Sequence, residues 1–201
     1  EELLRIPTAV DHASEYRYRN PITGNKTLTI IISQSGETAD TLAALKEAKK
    51  RGSHTLAIVN VVGSSIANAA DDVIYTWAGP EIAVATTKGY STQLSVLYLF
   101  AVWAARLLKT ADGARLDKIF DDILMLPELT ERVILAEPQI KETAKHCGDP
   151  KSLFFIGRNI DYAVSLEASL KLKEISYIHS EAYAAGELKH GPISLIEDGT
   201  L

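Results

Sequence analysis

Two stretches of this sequence concentrate side chains able to do chemistry. The first is Ser33-Gln34-Ser35-Gly36-Glu37-Thr38, with three hydroxyls, an amide and a glycine in six residues. It follows the apolar, β-branched run Leu28–Ile32 and precedes Thr38–Lys50, where Leu42, Leu45 and Ala48 recur at helical spacing. A helix N-terminus presents N–H groups without intrahelical partners and a partial positive charge. Gly36 lets backbone approach a ligand closely. The combination describes a cradle for a phosphate without a lysine. Neither GxxxxGK[ST] nor GxGxxG is present, which favours a small phosphorylated metabolite over a nucleotide. Capping of the helix by one hydroxyl is the competing reading. A related segment, Glu81 to Lys88, brings Thr86, Thr87 and Lys88 to the start of a second helix, where they either complete a ligand pocket or cap.

The second stretch runs from Glu167 to His190. Glu167, Lys171 and Glu174 stand at i, i+4 and i+7 on one helix face, while Val164, Ala168, Leu172 and Ile175 share another. By spacing alone this stripe reads as a solvated row of weak ion pairs, about 0.2–0.5 kcal/mol each. The continuation, His179 to Pro192, reads as a loop dense in titratable groups: His179, Glu181, Tyr183, Glu187, Lys189 and His190. Moving a proton between adjacent sugar carbons needs a carboxylate or imidazole that can take it and return it. Opening a sugar ring needs a group of near-neutral pKa, which histidine supplies. His179 and His190 are eleven apart and show no HExxH or HxxEH spacing, so no metal site is expected.

The elements that must position these groups follow from hydrophobic patterning. Leu28–Ile32, Thr55–Asn60 and Val73–Trp77 read as strands, and a strand–helix–strand alternation predicts a parallel sheet with helices on both faces. Thr86–Leu108 reads as one long, largely apolar helix, buried centrally or at a subunit interface. Asp117–Lys145 is charged and helical in pattern, punctuated by Pro127 and Pro138, and reads as a connector. Ser152–Gly157 restarts a strand, and a helix is expected from about Tyr162 to His179.

The 201 residues carry a net charge of −5, which disfavours a broad grip on nucleic acid. Cys147 is the single cysteine, so no disulfide framework forms within the chain, and a reducing, cytoplasmic compartment is expected. No basic region followed by an apolar run opens the chain. The apolar stretch Leu94–Leu108 is interrupted by Arg106 and is short for a bilayer span, so no membrane is expected as a partner. Lacking an initiator Met and ending at Leu201, the chain reads as a piece of a longer protein.

Three segments, Ser33–Thr41, Glu81–Leu94 and Ser165–Pro192, together resemble the isomerase half of the glucosamine-6-phosphate synthase family, the isomerizing glutamine–fructose-6-phosphate aminotransferases. The first segment alone indicates only the broader sugar-isomerase (SIS) group; the third narrows the match. The resemblance implies an α/β fold of flavodoxin-like parallel sheets flanked by helices. A first SIS domain lacking its first strand would span 1–112, a helical connector 113–146 and a truncated second SIS domain 147–201. It implies that Ser33, Gln34, Ser35 and Thr38 hold the phosphate of fructose 6-phosphate and that Val84 and Thr86 line the sugar pocket. The family usually has serine at the position of Thr86. Glu174 would shuttle the proton between C1 and C2, with Lys171 in the same cluster. His190 would assist ring opening from a neighbouring subunit of a homodimer.

No cofactor is implied. The family's glutaminase domain, its Gly-Thr-Ser-Tyr turn and its lysine-bearing tail have no counterpart here, so the piece alone is expected to be inactive. A non-catalytic sugar-phosphate-binding regulator is the alternative of another class; a simple aldose–ketose isomerase is the third.

Overall fold

The computed structural model describes residues 1–201, which fall into two compact units. One comprises Glu1–Ile82 and Thr86–Leu126, the other Ala83–Ala85 and Pro127–Leu201.

The first unit begins with α1 (Ala13–Tyr16), then β1 (Leu28–Ser33), α2 (Ala39–Lys50), β2 (His54–Val59), α3 (Ser65–Ala69) and β3 (Asp72–Tyr75). The three strands are parallel in the order β1-β2-β3, with Ser33 opposite Val59 and Val59 opposite Tyr75. The expected parallel sheet is therefore present, with strand ends shifted by one or two residues. α3 was not foreseen: five residues carry too little periodicity to read. Ile31, Leu45, Ala57, Val59, Ile66 and Ala67 form the core. Thr41, Leu45 and Ala48 stand at i, i+4 and i+7 along α2, so one face of that helix is buried. Removing a side chain such as Leu45 from water stabilises by about 1.5–3 kcal/mol. Tyr16 of α1 covers Ala44 and Ala48 from outside.

α4 (Lys88–Leu108) and α5 (Gly113–Leu124) complete this unit. Val102, Ala105 and Leu116 pack together with Leu3 and Leu4 of the N-terminal segment. α4 ends at Lys109, whose left-handed backbone (φ 56°) stops the helix, and Asp112 caps α5 by accepting from the Arg115 N–H. The expectation of central burial for this long helix is corrected. Within the unit only Gly89, Val102, Ala104 and Ala105 are buried, whereas Leu94, Tyr98, Leu99, Trp103 and Leu107 are exposed. At 21 residues and mean hydropathy 1.3, α4 is also long and apolar enough to cross a membrane by length and composition, unlike the shorter run Leu94–Leu108.

The second unit contains α6 (Leu126–Leu135, shared at its first residue with the other unit), α7 (Glu137–His146), β4 (Ser152–Gly157), α8 (Ile160–Ser176) and β5 (His179–Ala184). Pro127 and Pro138 do not break helices; each is the second residue of one, where a missing N–H is harmless. β4 and β5 pair in parallel, Ser152 opposite His179 and Gly157 opposite Ala184. Two points differ from expectation. α8 stops at Ser176, because Tyr177 adopts φ 60°, and His179–Ala184 is a strand rather than loop. Two 3₁₀ turns, Leu188–His190 and Pro192–Leu195, follow. The sheet side of α8 also differs: Ser165 and Ser169 are buried, while Val164 and Ile175 are exposed. Small hydroxyls there allow close approach, and Ser180 of β5 donates to the Ser169 carbonyl at 2.9 Å with the two hydroxyls 3.0 Å apart.

Candidate functional site

In the first unit the hydroxyl-rich turn lies at the carboxyl end of β1 and leads into α2, the position where open parallel sheets bind ligands. Ser33 is buried, and its Oγ accepts from the Gly36 N–H at 3.0 Å. Its hydroxyl lies 3.4 Å from that of Thr38. Ser35 Oγ accepts from the Glu37 N–H at 3.2 Å, and the Gln34 carbonyl accepts from the Asn60 N–H at 3.1 Å. The turn is thus held by its own hydroxyls.

Thr38 occupies the N-cap position of α2 in extended conformation, yet its side chain makes no capping bond. Asp40 in the first turn is directed to Arg17 at 3.2 Å. The capping explanation therefore does not account for Thr38, and the first-turn N–H groups keep their capacity for an external acceptor.

Gly36 has φ +69°, and a Cβ there would lie 2.1 Å from Ser64 Oγ, so only glycine fits. Its carbonyl accepts from the Ile66 N–H at 2.9 Å. Glu37 reaches the same place: its Oε1 accepts from the Ser65 N–H at 2.8 Å and its Oε2 from the Ser65 hydroxyl at 2.6 Å. Those bonds, the hydroxyl first and the N–H second, hold the Glu37 carboxyl below its usual pKa.

The segment before α4 comes to this turn through Gly89. A Cβ on Gly89 would sit 2.6 Å from Thr86 Oγ1 and 3.3 Å from Gln34 Cγ, so Thr86 and Gln34 converge on the first turn of α4. Thr86 donates to Glu81 Oε2 at 2.5 Å. Lys88 donates to the Pro80 carbonyl at 2.5 Å. Val84 belongs to the short segment grouped with the second unit, and its side chain is 98 % exposed. At the end of β2, Asn60 fastens the loop after β3, donating to the Gly79 carbonyl at 2.8 Å and accepting from the Ala78 N–H at 2.9 Å.

In the second unit Gly157 ends β4 where the chain turns sharply into α8; a Cβ there would meet the Asp161 backbone at 2.4 Å. Asn159 carries the turn at φ 52°. On α8, Lys171 Nζ lies 2.5 Å from Glu174 Oε2 and 3.6 Å from Glu167 Oε1. The side chains of Lys171, Glu167 and Glu174 are 18 %, 22 % and 30 % exposed, which is more shielded than a freely solvated stripe. The hydrogen bond to Glu174 raises the Lys171 pKa above the usual lysine value, against a desolvation that works the other way; the Glu167 and Glu174 charges add to the rise. Lys171 stays an ammonium. His190 lies exposed on the first 3₁₀ turn and makes neither hydrogen bond nor ion pair with Lys171 or Glu174. Ser33, Gln34, Ser35, Thr38 and Thr86 are thus grouped in one unit, and Lys171 with Glu174 in the other.

No group of three or more His, Cys, Asp or Glu side chains is placed to hold a metal. Two apolar grooves lie elsewhere. One, of about 520 Å³, is lined by Leu99, Val102, Trp103, Arg106, Asp117 and Phe120; the other, of about 460 Å³, by Val133, Ile134, Glu137, Ile140 and Lys141.

The family profile described as SIS domain matches residues 1–103 and 148–201. The chain belongs to the SIS domain family. Among curated SIS relatives, glutamine–fructose-6-phosphate aminotransferase [isomerizing] of Clostridium tetani is 58 % identical over 201 residues, covering all of this chain and 33 % of that protein. The Clostridium acetobutylicum protein of the same name is 56 % identical over the same length, also 33 % of its own. The chain thus spans about a third of these curated relatives. A solved SIS structure, the C-terminal domain of glucosamine-fructose-6-phosphate aminotransferase from Francisella tularensis, superposes with TM-score 0.94 at 38 % identity, covering 99 % of this chain and 56 % of that one.

Sequence reasoning passed over Glu37, Asn60, Ser64 and Gly89. The Ser64-Ser65 pair before Ile66-Ala67 was the available signal, since serine before an apolar pair is a helix start.

Proposed function

We propose that this SIS chain is the sugar-phosphate isomerase part of an enzyme that makes glucosamine 6-phosphate from fructose 6-phosphate and glutamine-derived ammonia. The observation that carries the reading is 58 % identity along the whole chain to an isomerizing aminotransferase. The geometry agrees with it. Ser33, Gln34, Ser35 and Thr38, with the uncapped first turn of α2, receive the phosphate; Val84 and Thr86 line the sugar. Ammonia condenses with the C2 ketone and water leaves. Glu174, hydrogen-bonded by Lys171, removes a proton from C1 and returns it to C2, giving the 2-amino aldose. His190, exposed in the chain itself, assists ring opening from the neighbouring subunit of a homodimer. The uncovered apolar face of α4 is the surface on which a second copy, rather than lipid, would sit.

The domain limits follow the same reading: a first SIS domain over 1–112, a helical connector over 113–146 and a partial second SIS domain over 147–201. A single free thiol, Cys147, agrees with a reducing cytoplasm. The substrate is a sugar phosphate, without nucleic acid, metal or cofactor.

The test has two arms. Fructose 6-phosphate is titrated into the chain by calorimetry, and Glu174→Gln is made in the complete enzyme. Binding by the chain, with a rate collapse but retained binding in the variant, is expected. Failure to bind fructose 6-phosphate at millimolar concentration refutes the substrate assignment. An unchanged rate in Glu174→Gln refutes the catalytic role and leaves the sensor reading.

A further inference from the structure

We infer that Glu37 is a positioning residue of the phosphate-holding turn: both its carboxylate oxygens are bound by Ser65 at the start of α3, which fixes the turn and directs its negative charge away from the anion. The inference rests on the phosphate-binding reading of Ser33–Thr38 given above.

A carboxylate in the middle of an anion cradle is at first sight misplaced. Two like charges a few ångströms apart repel, and repulsion alone would weaken the binding of phosphate. The structure answers the objection. Oε1 of Glu37 accepts from the Ser65 N–H at 2.8 Å and Oε2 from the Ser65 hydroxyl at 2.6 Å. Neighbouring backbone reinforces the same joint, since the Ile66 N–H donates to the Gly36 carbonyl at 2.9 Å. Gly36 lies so close to Ser64 that no Cβ can be accommodated. The side-chain bonds of Ser33, Ser35 and Thr38 run within the turn. The ties from Gly36 and Glu37 to the rest of the unit therefore all go to Ser65 and Ile66. Charge-assisted hydrogen bonds of this kind are the stronger class. Glu37 is an exposed residue, so burial gives no reason for it to be there.

The experiment titrates fructose 6-phosphate, and separately inorganic phosphate, into the wild-type chain and into Glu37→Ala, Glu37→Gln and Ser65→Ala, with melting temperatures in parallel. Positioning predicts that Glu37→Ala binds both ligands about tenfold more weakly, from loss of two charge-assisted bonds. Glu37→Gln, which keeps an acceptor for Ser65, recovers most of the affinity. A variant carrying both Glu37→Ala and Ser65→Ala is no weaker than Glu37→Ala. Tighter binding by Glu37→Ala means that repulsion outweighs anchoring and overturns the inference, as does equal affinity. Should Glu37→Ala fail to fold, Ser65→Ala decides: unchanged affinity overturns the inference and a loss supports it. A wild-type chain that binds neither ligand refutes the substrate reading, and the inference falls with it. Wild-type binding with indifferent variants refutes the inference alone.

Discussion

Replacing Gly89 by alanine sets two effects of opposite sign against each other. Alanine is the better helix former, by up to about 1 kcal/mol. Its Cβ, however, would stand 2.6 Å from Thr86 Oγ1. Thr86 must retreat by roughly 0.9 Å to reach the ~3.5 Å at which two heavy atoms sit comfortably. The hydroxyl is already fixed at 2.5 Å from Glu81, so the retreat breaks that bond. Crowding of this kind costs about 1–3 kcal/mol and a lost bond to a charged group about 1.5–3 kcal/mol. Gln34 Cγ at 3.3 Å adds little, because a flexible side chain gives way. Crowding and the lost bond outweigh the helix gain, and Gly89→Ala should lower stability by about 1.5–5 kcal/mol, or about 3–20 °C in melting temperature for a chain of this size. Thermal and urea melts of four proteins read the effect: wild type, Gly89→Ala, Thr86→Ala and the double variant. In the Thr86→Ala background the obstruction is gone, and the same substitution should stabilise, by at most about 1 kcal/mol. If the loss persists there undiminished, the obstruction is not Thr86 and the reasoning is wrong.

Asp71 is the group whose charge state should be felt at low pH. The Lys49 ammonium at 2.7 Å, then the Thr55 hydroxyl and N–H at 2.7 and 2.8 Å, depress its carboxyl far below the usual value. A depressed folded-state pKa stabilises above the unfolded value near 3.9 and loses that contribution as pH falls toward the folded one. Asp71→Asn should therefore be less stable than wild type in urea at pH 7, with the gap narrowing once the pH drops below about 4; a constant gap would rule out the ion pair as its source. Gly157→Ala should destabilise the second unit by about 2 kcal/mol or more, since the new Cβ meets backbone, which cannot rotate away. Hydrogen exchange in β4 and α8 would show it, and wild-type protection there would contradict the close approach.

β1, α2 and β2 were readable because each is long enough for its period to show: LTIII against the Leu42, Leu45, Ala48 spacing. β5 was not readable, because His179-Ser180-Glu181-Ala182-Tyr183-Ala184 has the composition of a loop and becomes a strand only through pairing with β4. Tertiary context overrode local preference there. The buried side of α8 misled for a related reason. Val164, Ala168, Leu172 and Ile175 read as the apolar face, yet Ser165 and Ser169 are the buried residues, the Ser169 hydroxyl pairing with that of Ser180 on β5. The site divided likewise. The hydroxyls of Ser33, Ser35 and Thr38 announced themselves by density. Glu37 acts through Ser65, 28 positions away, and no local pattern encodes such a meeting.

The Ser169–Ser180 pair has a geometric consequence for the charged groups of the same helix. Advancing an α-helix by one residue turns it by about 100°. Ser165 and Ser169 lie almost diametrically opposite Glu167, Lys171 and Glu174 on the helical wheel. A hydroxyl pair joined at one depth works as an index mark: a slip of α8 by a single residue would separate it and swing the lysine and both carboxylates a quarter-turn round the axis. Two small, uncharged side chains thereby set the compass bearing of three charged ones.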